Sequence, residues 1–304
     1  MSARWIVLTP SALDNAWREA LSRAGAAAGL TLVDAVPPPS EPALADPRTV
    51  VLTDDAAAVP DTRGGQAAAI LPDPSRVIEA LAARDGVAVA DAVWSGSRIL
   101  AQACALPEDC PVLAGAALSH GAVEVLPGLI VEPPQGANAT PDTPLSIALG
   151  LYREGRPQPG ATAEWAPEVF LYDARAARDA KFAGDLDATG RPRIAVYGPF
   201  IELPAGRWQA DIRFALDEPL CSRQLRIDWG TQTDYVSETV IAGQPGVFQM
   251  QLEWTWTAPA PAEARILIIE GVFDGRLMFQ GLTVRRLPDL PTEPAPQSEP
   301  GPTA

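Results

Sequence analysis

The sequence predicts an α/β unit, a small parallel sheet with helices, followed by an all-β unit of jelly-roll or β-sandwich type. Three observations predict it. In roughly the first hundred residues, short apolar runs alternate with helical stripes, the order that a parallel sheet with packed helices requires. From Glu168 onward about eight extended segments follow closely on one another, separated by Gly, Pro and Asp turns. Among them, Arg207 to Phe214 alternates strictly, with Trp208, Ala210, Ile212 and Phe214 on one face and Arg207, Gln209, Asp211 and Arg213 on the other. Side chains on a pleated strand alternate faces, so this is a half-buried antiparallel strand.

In chain order, Trp5 to Leu8 is a short buried strand. Ser11 stands as an N-cap before a helix that runs to about Ala28, with Leu13, Ala16, Trp17, Ala20, Leu21 and Ala24 on one stripe and Gly29 as its stop. Leu30 to Val33, Thr49 to Thr53 and Ala67 to Leu71 read as further strands, with a proline-rich link at 37–42. Helices are predicted over Pro74 to Ala83 and Val87 to Ala105. The middle carries candidate strands at Val123 to Val131 and Leu145 to Tyr152 among loops rich in Pro, Gly, Asn and Thr.

The all-β strands are expected at Val169 to Tyr172, Arg193 to Ile201, Arg207 to Leu216, Gln224 to Gly230, Tyr235 to Ile241, Val247 to Trp256, Ala264 to Phe273 and Arg276 to Leu287. Leu203-Pro204-Ala205-Gly206 and Asp274-Gly275 are turn chemistry, and each predicts a β-hairpin between the strands that flank it. The expected organisation is an α/β scaffold over residues 1–110, a connector or extra strands over 111–167, and a β-sandwich over 168–287. A disordered proline-rich tail over 288–304 completes it.

Composition narrows the chemistry. The chain has 304 residues, 47% hydrophobic and 20% charged, with a formal net charge of −15. An acidic surface argues against nucleic acid, which needs clustered Lys and Arg, and against anionic lipid. No apolar run approaches the roughly 20 residues of a membrane-spanning helix, so no membrane insertion is expected. Met1 to Leu8 lacks the apolar core of a secretory signal. Cys104, Cys110 and Cys221 are odd in number and have no metal-like spacing. The expected setting is the cytoplasm, or a particle assembled there and released by lysis.

Catalytic constellations are thin. The first strand runs into Thr9-Pro10-Ser11-Ala12-Leu13, with none of the glycines that let a backbone approach a pyrophosphate. Asp34 stands where a ribose-binding acid would, and Asp54-Asp55 follows a strand as a metal-holding pair for a sugar nucleotide would. The pair lacks the usual spacer, and solvated loop acids or a cap for the following residues is the ordinary reading. His120 is the only histidine, in the turn-like Leu118-Ser119-His120-Gly121, and Trp94-Ser95-Gly96-Ser97 is not a nucleophile elbow. Asp228, Glu253 and Glu270 fall on predicted strands, where solvent-facing acids are commonplace; Asp185 and Asp187 lack the further oxygen ligands of a calcium loop. No cofactor and no metal are expected.

The aromatic residues carry more. Trp208, Trp229, Trp254 and Trp256, with Tyr197, Phe200, Tyr235 and Phe248, concentrate in the all-β unit. Flat aromatic faces suit the C–H faces of sugars, while hydroxyls need acids, amides and guanidinium groups around the rim. Trp208 and Trp254 are in phase with apolar stripes and read as core; Trp256, at a strand end, is expected to be more exposed.

The run Thr189-Gly190-Arg191, then Val196 through Trp208, resembles jelly-roll domains of the carbohydrate-binding-module type found in bacterial polysaccharide-related, often glycosyltransferase-associated, proteins. Ala264 to Leu267, Asp274 to Leu277 and Leu282 to Arg286 fit the end of that pattern, so the resemblance covers about residues 168–287. It implies a non-catalytic glycan-binding protein that recognises a bacterial exo- or capsular polysaccharide, as a surface spike of a phage-like or gene-transfer particle or as an accessory of polysaccharide assembly. Homo-oligomers or particle partners fit that setting. No motif of the resemblance fixes ligand residues; the aromatic and rim logic nominates Tyr197, Arg207, Arg226, Asp228, Trp256, Glu270 and Arg276 as sugar contacts. Two other readings stand beside it: a glycosyltransferase-like enzyme using a sugar nucleotide in the α/β unit, and a structural protein-interaction module.

Overall fold

The computed structural model describes residues 3–36, 38–60, 66–119, 121–134, 143–178 and 180–289. His120 and residues 290–304 of the proline-rich tail lie outside the described residues.

The N-terminal part runs β1 (Arg4–Leu8), α1 (Asp14–Ala27), β2 (Thr31–Asp34), α2 (Glu41–Ala45), β3 (Thr49–Thr53), β4 (Ala67–Ile70), α3 (Pro74–Asp85), α4 (Val89–Cys104) and β5 (Val112–Leu113). Its five strands form one parallel sheet in the order β2-β3-β1-β4-β5. A sheet buried on both faces needs uninterrupted apolar strands, and β1, β3 and β4 supply them. Trp17 and Leu21 of α1 pack on the face that carries Ile6, Leu8, Val50 and Ile70. The opposite face, with Trp5, Val7, Val51 and Ala69, meets Val77, Leu81, Val93 and Leu100 of α3 and α4.

The middle differs from expectation. Val123 to Val131 is two short strands, β6 (Val123–Leu126) and β7 (Leu129–Val131), paired around Pro127-Gly128. Leu145 to Tyr152, expected as a strand, is helical: α5 (Pro144–Ala148) leads into a 3-10 turn at Gly150–Tyr152. A short apolar run does not distinguish strand from buried helix. Here Pro144 in the first turn and a capping box between Thr143 and Ser146 decide for helix.

The remaining strands are β8 (Thr162–Trp165), β9 (Leu171–Tyr172), β10 (Asp185–Asp187), β11 (Arg193–Tyr197), β12 (Pro199–Leu203), β13 (Gly206–Leu216), β14 (Leu225–Gly230), β15 (Tyr235–Val240), β16 (Gly246–Trp256), β17 (Ala260–Ile268) and β18 (Arg276–Arg286). They form two sheets. One has the order β10-β18-β13-β16, with β8 also paired to β18. The other has the order β15-β14-β17-β11-β9, with β12 also paired to β17. Trp165, Trp208, Trp229, Phe279, Leu225, Ile227 and Ile266 fill the space between them. Each fully buried tryptophan removes about 150–250 Å² from water, worth roughly 4–6 kcal/mol as an upper figure.

Neither expected hairpin forms. β12 pairs with β17 in one sheet, whereas β13 pairs with β16 and β18 in the other. Leu203 to Gly206 is therefore a corner between the sheets. The Asp274-Gly275 turn likewise joins β17 to β18 across the sandwich. The inner faces of the two sheets look at one another, so a chain that crosses over keeps the same residues buried as one that turns back. The expected strand Arg193 to Ile201 is broken at Gly198, with Phe200 in the left-handed region at φ 62°.

Candidate functional site

The candidate residues do not converge. Trp256 is a correction: it is only 3% exposed and lies edge-on to Trp229, with ring centroids 5.3 Å apart. Its strand ends at a corner between sheets, and the ring turns inward with Leu252, so position at a strand end did not mean exposure. Glu270 is a second correction, lying in the link after β17 and not on a strand. Arg207 sits on the outer face of the other sheet, paired with Glu253. Arg276 opens β18 and binds Asp185 of β10 through Nε at 3.1 Å, an ion pair that ties two strands together. Tyr197 is half-buried on β11 and meets Phe200 edge-on at 6.4 Å, two strands from β14.

Arg226 and Asp228 are brought together, with partners that were not nominated. The hairpin β14–β15 turns through Thr231–Asp234, where Thr231 N–H donates to the Asp234 carbonyl at 2.7 Å and Asp234 N–H to Thr231 Oγ at 3.0 Å. Gly230 (φ 156°) precedes it, and a Cβ there would lie 2.5 Å from the Tyr235 Cα. Register places Arg226 opposite Thr239, Asp228 opposite Ser237 and Gly230 opposite Tyr235. On the other side, Asp228 faces Arg265 of β17 and Gly230 faces Glu263. All these side chains share the outer face, because Leu225, Ile227 and Trp229 take the inner one.

The geometry is that of a fixed charged cluster around a tyrosine. Asp228 is a third correction, since at 1% exposure it is neither a solvent-facing acid nor a direct sugar contact; its carboxylate accepts Arg226 Nε at 2.7 Å and Nη2 at 3.1 Å, and Ser237 Oγ at 2.6 Å. Arg226 also donates to the Tyr235 hydroxyl at 3.1 Å. Arg265 binds Glu263 at 2.5 Å and the Gln232 carbonyl at 2.7 Å. Both guanidinium groups lie over the Tyr235 ring, at 5.5 Å for Arg226 and 4.8 Å for Arg265. Hydrogen bonds to Asp228 and Tyr235 raise Arg226 above the ordinary arginine value, and the bond to Glu263 does the same for Arg265. Nη1 of Arg226 has no protein partner among the described residues, and a third of that side chain is exposed. The signal for the unnominated half was present: Glu263 and Arg265 form an acid–arginine pair two apart on one strand face, as Arg226 and Asp228 do.

The α/β unit offers a different kind of space. Between the carboxyl ends of β1, β4 and β5 is a cavity of about 440 Å³ lined by Trp17, Leu71, Asp73, Arg76, Ser119 and Arg153 among others. Of the two helix starts beside it, that of α3 carries a side-chain cap and that of α1 does not. Asp14 accepts the Ser11 N–H at 2.7 Å, and Asp73 accepts the Ser75 N–H at 3.0 Å. At α3 a carboxylate thus occupies the place where a phosphate would bind. Asp54 pairs with Arg84 at 3.2 Å and Asp55 caps the Ala57 N–H at 2.9 Å, so the two acids point to separate structural tasks. Asp34 pairs with Arg18. Among the described residues no cluster of three or more potential metal ligands occurs, and no helix is long and apolar enough to cross a membrane.

No family model matches the chain. No curated protein matches it. Several solved structures are similar to part of the chain. One is TmCBM61 in complex with β-1,4-galactotriose (10% identity, 41% of this chain and 82% of that chain, TM-score 0.27). Another is the C-terminal CBM6 of LamC, a marine laminarinase from Zobellia galactanivorans (10% identity, 41% and 99%, TM-score 0.26). A third is the CBM22-1 xylan-binding domain of Paenibacillus barcinonensis Xyn10C (10% identity, 40% and 83%, TM-score 0.27). These are carbohydrate-binding modules; at such TM-scores the likeness decides nothing about ligand or site.

Proposed function

We propose that the chain is a non-catalytic glycan-binding protein whose contact surface is the outer face of the β15-β14-β17 sheet. The observation that carries this reading is Tyr235 with the guanidinium groups of both Arg226 and Arg265 against its ring, each of them paired with a carboxylate, Asp228 or Glu263. A sugar ring offers an apolar C–H face and a rim of hydroxyls. The Tyr235 ring supplies aromatic surface for the first requirement, and its hydroxyl part of the second. Arg226, fixed at two points by Asp228, presents its Nη1 donors without the entropy cost of immobilising a free arginine. Ser237, Thr239 and Gln232 are exposed around it and add hydroxyl and amide groups. We infer a polysaccharide as ligand, of the bacterial exo- or capsular kind.

Retention on immobilised polysaccharides tests this. The full chain is run in affinity electrophoresis through gels that contain a panel of bacterial exo- and capsular polysaccharides, alongside Tyr235→Ala and Arg226→Ala. Retardation of the parent on at least one glycan, lost in both variants while their circular dichroism is unchanged, is the expected outcome. Absence of retardation on the whole panel, or retardation that both variants keep, overturns the reading.

A further inference from the structure

The sheet β10-β18-β13-β16 ends on β16, whose outer edge pairs with no strand among the described residues. β16 is 11 residues long, and along its whole length it pairs with β13, from Gly206↔Trp256 to Leu216↔Gly246, without a register shift. Among the described residues no backbone group of β16 bonds to anything on its other side. Proteins blunt such edges with lysine, proline, bulges or a covering loop, because a row of free N–H and C=O groups is a template for another strand. The sequence Gly-Val-Phe-Gln-Met-Gln-Leu-Glu-Trp-Thr-Trp has no lysine, no proline and no bulge. Its one charge, Glu253, is already neutralised by Arg207.

The side chains of this edge are also incompletely covered. Phe248, Met250 and Trp254 point to the inner face with Leu252 and Trp256, yet remain only half-buried while packing against the core. The neighbouring Val247, on the outer face, is 67% exposed.

We propose that β16 is a homodimerisation edge, on which β16 of a second copy of this chain pairs antiparallel across a two-fold axis through Gln251. Gln251 is the midpoint of the strand, so pairing over its full length places the axis there. The resulting opposites are complementary: Met250 meets Leu252, Phe248 meets Trp254, Gln249 meets Glu253, and Gln251 meets itself. Apolar residues face apolar ones on the inner side, polar face polar on the outer, and no like charges oppose each other. An axis perpendicular to the sheet keeps the inner face of each copy on the same side, so the two cores become continuous. Isologous contacts of this kind close on themselves and do not propagate into fibres.

Sedimentation velocity of the full chain, from low to high micromolar concentration, tests it. The parent is expected to sediment as a dimer. Gln251→Lys and Gln251→Glu each put two like charges face to face at the axis and should raise the dimer dissociation constant at least about ten-fold. Position 251 is exposed on the outer face, so the monomer fold should survive, which circular dichroism checks. Gln251→Ala, without charge, should stay dimeric. Amide hydrogen exchange along β16 should be slower in the parent than in Gln251→Lys. A parent that is monomeric throughout, charge variants that remain dimeric, an alanine variant that dissociates as they do, or equal exchange along β16 in parent and Gln251→Lys overturns the proposal.

Discussion

The hydroxyl of Ser97, on α4, accepts the backbone N–H of Glu202, on β12, at 3.0 Å. With it, Trp94 Nε1 donates to the Pro199 carbonyl at 2.7 Å, and the Tyr152 hydroxyl donates to the Glu202 carbonyl. β12 is a sheet edge, and these three side chains occupy the groups that a further strand would take. Ser97 and Tyr152 are both fully buried. α4, together with Tyr152 of the middle segment, thus docks on the sandwich by completing its hydrogen bonding, and one apolar cluster runs through all of them.

Tyr152→Phe should therefore weaken the whole chain. It leaves the Glu202 carbonyl without its buried partner, a loss of about 1–3 kcal/mol. Urea unfolding followed by tryptophan fluorescence and by far-ultraviolet circular dichroism should give one coincident transition, shifted to lower denaturant in the variant. Separate transitions for the two parts would contradict the shared core.

Burial holds the Glu202 carboxyl above its ordinary value, partly offset by Arg98. A folded-state value raised in this way means that folding favours the protonated acid. Stability therefore falls as pH rises from the ordinary glutamate value through the raised one, and stays lower above it. Glu202→Gln should be more stable than the parent at neutral pH, with the advantage vanishing in acid below the ordinary glutamate value. Unfolding midpoints measured across that range check it, and equal midpoints at neutral pH would contradict it.

Binding and stability should separate cleanly between two aromatic residues. Trp256→Ala empties a core position and should cost about 3–5 kcal/mol of unfolding free energy. Tyr235→Ala, on the outer face, should lower glycan affinity about ten-fold, a loss of roughly 1–2 kcal/mol of contact energy, and leave most of the stability intact. Isothermal titration and urea melts on the same preparations distinguish the two.

Gly206 has φ 135°, and the Arg286 guanidinium occupies the space that a Cβ would fill. That guanidinium donates to the Ala205 carbonyl at 3.0 Å and lies over the Trp208 ring at 5.7 Å. Gly206→Ala should combine backbone strain with loss of both contacts, at a cost above about 1 kcal/mol. A thermal midpoint unchanged from the parent would contradict the corner geometry.

The legible parts of the fold were those written in local periodicity. The stripe Trp17–Ala20–Leu21 gave α1, and the alternation from Arg207 to Phe214 gave β13 with Trp208 at its core. Leu145 to Tyr152 misled because a short apolar run suits either a buried strand or a buried helix, and a capping box settled it. Glycan contacts were harder still. Arg226 and Asp228 were visible as a pair on one strand face, but Arg265 and Glu263 join them only because β17 lies beside β14.

The sequence by itself determined which faces of β13 and β16 turn inward, where the chain turns, and that a parallel α/β part precedes a β-sandwich. Period-two alternation and turn residues are local properties, written within a few residues of one another. Tertiary structure alone decided which strands are neighbours. It made Leu203–Gly206 a corner and not a hairpin, drew Trp256 into the core, and assembled the Tyr235 cluster from three strands. Neighbours are chosen by hydrogen bonds between residues far apart in sequence, and since both sheets bury the same inner faces, the local pattern is identical for either choice.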